Sequence, residues 1–268
     1  MKQYLSIFRI KFINNLQYRA AALAGLSTQL FFGFVYIMIY LAFYESNGGT
    51  TPPMQLNQLI TYLWLNQAFF ALIYLWVKDQ ELLSMIKNGN IAYELCRPVN
   101  FYFKWYFTLY GSRIAMVALR FLPVILISLF LPSPYNLSLP ASIVSFGLFI
   151  ISLFLSSLLV TAIAMIYHLV TFFTLDERGF LTLLTVIGEI FEGGIIPIVF
   201  FPKFLQVIAY ILPFRYICDA PFRIYSGNIN TPNALINIGV SILWIILCLG
   251  IGIILSKKAL KKAVIQGG

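Results

Sequence analysis

The chain has 268 residues, of which 60% are apolar and only 10% are Asp, Glu, Lys or Arg; mean hydropathy is +0.88. Soluble domains carry about 25% charged residues, so this composition excludes an ordinary water-soluble enzyme, a disordered tail and a disulfide-stapled secreted domain. A net charge of +9 would suggest nucleic acid in a soluble chain, but in a bilayer it first asks on which side the cations sit.

Residues 1–19 carry Lys2, Arg9, Lys11 and Arg19 among Leu5, Phe8, Phe12 and Leu16, which recur at helical spacing. This predicts an N-terminal amphipathic helix lying in the headgroup layer with its aromatic side in lipid; a flexible basic lead is the other reading. Ala20, Ala21, Ala22 and Ala24 precede the apolar run that follows, whereas a cleavage site would come after it, so no cleaved signal peptide is expected. Crossing a bilayer takes about 20 helical residues. Runs of that order at 20–44, 59–77, 105–131, 141–174, 180–199 and 235–255 predict six transmembrane helices. The fourth is too long to stand upright and should tilt or protrude. The whole chain, 1–268, reads as one all-α integral membrane protein.

Six spans put both termini on one side. Lys2, Arg9, Lys11, Arg19, Lys78, Lys87, Arg97, Lys104, Arg178, Lys257, Lys258, Lys261 and Lys262 fall on that side, against Lys203, Arg215 and Arg223 on the other. The positive-inside rule makes that side cytoplasmic, in the cell membrane. Anionic membrane lipid accounts for the clustered cations, and no nucleic acid is expected. Cys96, Cys218 and Cys248 have no metal-binding or redox spacing.

The longest cytoplasmic connection, 78–104, carries its own helix signals. Asp79 and Glu81 favour a helix start, Leu82, Leu83, Met85 and Ile86 supply an apolar face, and Gly89 suits a C-terminal cap. A second turn follows at 91–96, and Pro98 then forces Arg97 out of helical geometry. The result is a compact cytosolic knob whose apolar face suits either a protein partner or lipid headgroups.

Ionisable side chains inside the spans come next. Glu189 and Glu192 lie one turn apart near the middle of the fifth span, and the third span supplies Arg113 and Arg120. Counting helical rise from the cytoplasmic ends puts Arg113 and Glu189 at roughly 12 and 15 Å, and Arg120 and Glu192 at roughly 20 Å. Two interhelical ion pairs are therefore expected, either fixing helix packing or lining a translocation pathway. Gly188, Gly193 and Gly194 in the same span allow a kink or a close helix approach. His168 is the chain's single histidine; it cannot supply a metal set and suits a packed or headgroup-level position.

The connection at 200–234 follows Pro197 and contains Pro202, Pro213, Pro221 and Pro232, which leave room only for a short helix over 204–212. At about 14 Å it cannot cross a bilayer. An extracellular re-entrant helical hairpin is predicted between the fifth and sixth spans, with Pro202, Phe204, Pro213 and Phe214 as a gate; an interfacial anchoring rim is the alternative.

The stretch 86–100, with Gly89, Leu95, Arg97 and Pro98, resembles the segment that follows the second span in permeases of type-2 ABC exporters. Phe201-Pro202, Leu212-Pro213-Phe214-Arg215-Tyr216, Pro221 and Ser226-Gly227 resemble the extracellular connection of one branch of the same superfamily. The resemblance implies a pair of permeases, the second being a copy or a relative of this chain. It also implies an ABC ATPase subunit held against the loop after the second span, contacted by Met85, Ile86, Gly89, Tyr93, Glu94 and Arg97. No stretch fits G-x-x-x-x-G-K-[ST], so ATP and Mg are expected on the partner ATPase, with no cofactor bound by this chain and no enzyme activity of its own. Walls rich in Phe, Tyr and Leu fit an amphipathic or lipid-like substrate such as a drug, lipid or peptide. The alternative from another class is a proton-coupled secondary transporter using Glu189 and Glu192.

Overall fold

In a computed structural model the protein is 78% helix, and no strand occurs among the described residues, which are 2–46, 52–75, 78–88, 90, 91, 94, 96–174 and 177–262. The helices are α1 (Lys2–Leu16), α2 (Arg19–Ser46), α3 (Leu56–Ile73), α4 (Gln80–Lys87), α5 (Phe101–Ala118) and α6 (Phe121–Leu129). They are followed by α7 (Ile143–Val170), α8 (Glu177–Glu192), α9 (Lys203–Ile211), α10 (Asp219–Tyr225) and α11 (Thr231–Lys262). Single 3-10 turns lie at Ile198–Phe200 and Phe214–Tyr216.

Among the described residues four stretches are long and apolar enough to cross a membrane: Ala20–Ser46, Phe101–Leu129, Ile143–Val170 and Thr231–Lys261. The other two expected spans are also helices, but shorter ones: α3 has 18 residues, with the polar Asn66 and Gln67 inside its apolar run, and α8 has 16. The third expected span is divided at Leu119 and Arg120. Pro123 explains the break, because its ring nitrogen has no hydrogen to give the Leu119 carbonyl one turn earlier. Helix α8 stops at Glu192 and does not run on to residue 199. Gly193 takes φ +83°, the left-handed conformation that ends helices. Glu189 and Glu192 therefore sit in the last turn of α8 and not mid-span, a correction to the hydropathy reading.

Helix α3 forms the axis of the molecule. From Leu59 to Ile73 every residue is buried except Phe70, and α2, α5, α6, α7 and α10 pack around it. The longest pairing is between α7 and α11, with α10 wholly buried beside both. Helix α1 differs from expectation in where its aromatic side goes. Tyr4 meets Phe103 and Phe107, and Phe8 lies tilted against Tyr110 at 5.6 Å, so this face lies along α5 and not in lipid. Positions 4, 7, 8, 11, 12 and 15 share the half-buried face, while Leu5, Ile10 and Ile13 are exposed.

Candidate functional site

The knob after α3 is tied to three other helices. Asp79 caps α4 by accepting from the Leu82 amide at 3.0 Å, which satisfies one donor left open at a helix start. Its own backbone N–H donates to Nε2 of His168 near the end of α7, at 3.0 Å. Because Nε2 accepts, Nδ1 carries the proton, and it lies 2.7 Å from the Ala164 carbonyl. Glu81 pairs with Lys11 of α1 at 2.8 Å. Glu94 pairs with Lys104 of α5 and lies 3.7 Å from Arg97. Leu82, Leu83 and Ile91 are buried beneath the knob.

This geometry corrects the expected role of Glu94. Its side chain is 2% exposed, so it braces the knob from inside and offers no contact to another protein. Met85 and Ile86 are half-buried against the core, leaving Glu81, Ser84, Lys87, Asn88, Cys96, Arg97 and Pro98 as the outward surface. Gly89 and Tyr93 lie outside the described residues.

The four charges expected within the spans are not paired as their depths suggested, and among the described residues no ion pair joins either arginine to either glutamate. Arg113, 2% exposed, donates from Nη1 to the carbonyls of Leu72 at 3.1 Å and Tyr74 at 2.6 Å. These carbonyls belong to the end of α3, where a cation is favoured by both the open acceptors and the helix dipole. Arg120 sits at the break between α5 and α6 and donates to the Ala21 carbonyl of α2 at 3.3 Å. Glu192 is buried with no hydrogen bond to Oε2. Glu189 instead lines a cavity of about 730 Å³ with Tyr74, Lys78, Gln80, Thr182, Thr185 and Val186. Leu183, Val186, Ile187 and Ile190 leave the outer face of α8 apolar and exposed.

Where α8 ends, its backbone is sealed by side chains from elsewhere. Tyr62 Oη donates to the Gly193 carbonyl at 2.8 Å, and Asn66 Nδ2 donates to that of Gly194. Asp219 Oδ1 accepts from the Ile198 amide at 3.2 Å, and its other oxygen is 3.1 Å from Arg223 Nη1 and 3.9 Å from Arg215 Nη2. Irregular backbone inside a membrane protein needs such cover, because lipid offers no hydrogen bonds. A side chain at Gly193 would come within 3.0 Å of the Tyr62 hydroxyl and 3.2 Å of Asp219 Cβ, so glycine is required there by space as well as by φ. The sequence reading missed Tyr62, Asn66 and Asp219. Its available signals were the Asn66-Gln67 pair inside an apolar run and the placing of Asp219 four residues from both Arg215 and Arg223.

The four expected gate residues separate into two pairs. Pro202 precedes α9 and Phe204 is 66% exposed, whereas Pro213 is buried and Phe214 packs on α8 at Gly188, where an added Cβ would stand 3.3 Å from the ring.

Residues 25–267 match the family described as ABC-2 family transporter protein. The chain belongs to the ABC-2 transporter family. No curated protein matches its sequence. The match takes in most of α2 and all of α3 through α11, and so both the braced knob and the sealed break. As an ABC-2 family member the chain is the permease of an ABC transporter and a multi-pass membrane protein, a transport subunit of a kind that usually works with an ATPase subunit.

Proposed function

We propose that this permease is one half of an ATP-driven exporter for an amphipathic or lipid-like substrate. It spans the cell membrane six times, through α2, α3, α5 with α6, α7, α8 and α11, with both termini and the knob in the cytoplasm and α9 with α10 as a re-entrant hairpin on the outer side. Two permeases, copies or relatives, pair through the exposed apolar faces that include α8, and each receives an ABC ATPase subunit on its knob. Met85, Ile86, Gly89, Tyr93 and Arg97 remain the contact set, now with Glu94 as the brace beneath them. Glu189, with its cavity beside α8, lies along the route; Pro202, Phe204, Pro213 and Phe214 flank the exit.

The observation that carries this reading is the triple tie of the knob. A push on α4 reaches α7 through Asp79 and His168, α5 through Glu94 and Lys104, and α1 through Glu81 and Lys11. A loop that only joined two spans would have no need to be bound to three other helices. The test combines transport with thiol labelling in proteoliposomes. Export should require both ATP and the ATPase subunit, and docking of that subunit should shield Cys96, which is exposed, while Cys218 and Cys248 stay buried throughout. Movement of cargo by the purified permease alone, driven by a proton gradient, would instead establish the carboxylate-based secondary transporter.

A further inference from the structure

A second polar cavity lies at the other end of the molecule from the knob. Its volume is about 360 Å³, and Tyr210, Arg215, Arg223, Asn228, Asn233 and Asn237 supply its polar lining. Arg223 is already committed, donating to Asp219 at 3.1 Å and to Asn228 Oδ1 at 2.8 Å. Arg215 is different. It is 8% exposed, its guanidinium lies 4.1 Å over the Tyr210 ring and 5.4 Å from that of Tyr216, and its Nε has no hydrogen-bond partner. The nearest carboxylate oxygen, on Asp219, is 3.9 Å away, too far for a hydrogen bond. Two tyrosine rings thus flank the cation, and among the described residues no hydrogen bond occupies its Nη donors, an arrangement that suits a planar guanidinium and would not suit a lysine.

The balance of charge decides the ligand's sign. Two guanidiniums line the cavity, and the single carboxylate near them, Asp219, is fully buried behind them. What enters meets net positive charge together with the amide of Asn233, whose side chain makes no hydrogen bond among the described residues. The surroundings decide what carries the anion. Asn233, Ile236 and Asn237 belong to the first two turns of α11, at the margin of an apolar span, and Ile236 is 63% exposed. Val207 and Ile211, neighbours of Tyr210 on α9, are 58% and 66% exposed. A charged cleft whose flanking helices carry exposed aliphatic side chains, at the start of an apolar span, matches a headgroup whose acyl chains lie against the protein.

We infer that this cavity binds the phosphate of a membrane phospholipid, with Arg215 as its principal ligand. The inference does not rest on the transport reading, since it uses only this cavity and its margin. Native mass spectrometry of the full chain tests it. The protein is released from micelles containing equal amounts of phosphatidylglycerol and digalactosyl diacylglycerol, which has no phosphate. The phospholipid should be retained over the galactolipid by about tenfold, a discrimination typical of charge-assisted hydrogen bonds. Arg215→Gln should bring retention to parity. Asn233→Leu, at an exposed position where folding is not at stake, should weaken it several-fold. Equal retention of the two lipids, or retention unchanged in Asn233→Leu and in folded Arg215→Gln, would overturn the inference. Millimolar inorganic phosphate serves as the third arm: displacement of the phospholipid supports phosphate as the recognised group, whereas a thermal shift with inorganic phosphate and none with phosphatidylglycerol would overturn the assignment to lipid.

Discussion

The knob around α4 and the break after α8 solve the same problem in different solvents. Both interrupt the helical backbone and must find partners for the groups thus freed. At the knob the partners are those of a soluble protein, with a side-chain cap and two carboxylates paired to lysines. At the break they come from distant helices: a phenol, an amide and one carboxylate shared by two arginines and a backbone amide. At the exposed pair of the knob, Lys11 with Glu81, water can replace a lost contact; at the break nothing does. Substitutions should therefore be severe at the break and mild at that exposed pair, even where the geometry looks alike.

Four measurements sharpen or break that contrast. Removing the carboxylate in Asp219→Ala leaves the buried Arg223 without its hydrogen-bonded anion and should cost about 3–5 kcal/mol, read as loss of folded protein in detergent. Tyr62→Phe strips one donor from the Gly193 carbonyl while keeping the ring, and thermal unfolding should register about 1–3 kcal/mol. His168→Leu takes the acceptor from the Asp79 amide, which should cost about 1 kcal/mol; its sharper signature is less cargo moved per ATP hydrolysed with ATPase binding intact. Lys11→Ala breaks a pair whose partner Glu81 is 54% exposed, so about 1 kcal/mol or less is expected, vanishing in high salt. Equal costs for Asp219→Ala and Lys11→Ala would erase the distinction between the two regions.

Helical class, the α4 cap at Asp79 and the short helix near residues 204–212 were legible in the sequence, because each depends on neighbours within a few residues. Contacts across the chain were not. Glu94 looks like a surface charge until Lys104, on the far side of Pro98, is brought beside it. Arg113 and Glu189 match in depth, yet a cation at that depth had a nearer use in the open carbonyls of α3, which depth alone does not reveal. Hydropathy read α8 through Ile195, Ile196 and Val199 because a window average does not weigh one glycine, whereas the backbone turns on Gly193. Arg215 was counted as an outer-side charge; its place beside the rings of Tyr210 and Tyr216 depends on a fold that no spacing announces.

The density of packing along α3 has a bearing on stoichiometry. The axis of the subunit is filled by side chains from Leu59 to Ile73, so under the proposed pairing the conduit runs between two permeases and not along α3. If two copies build one conduit, mixing intact subunits with inert ones should lower flux as the square of the intact fraction, whereas independent channels would give a straight line.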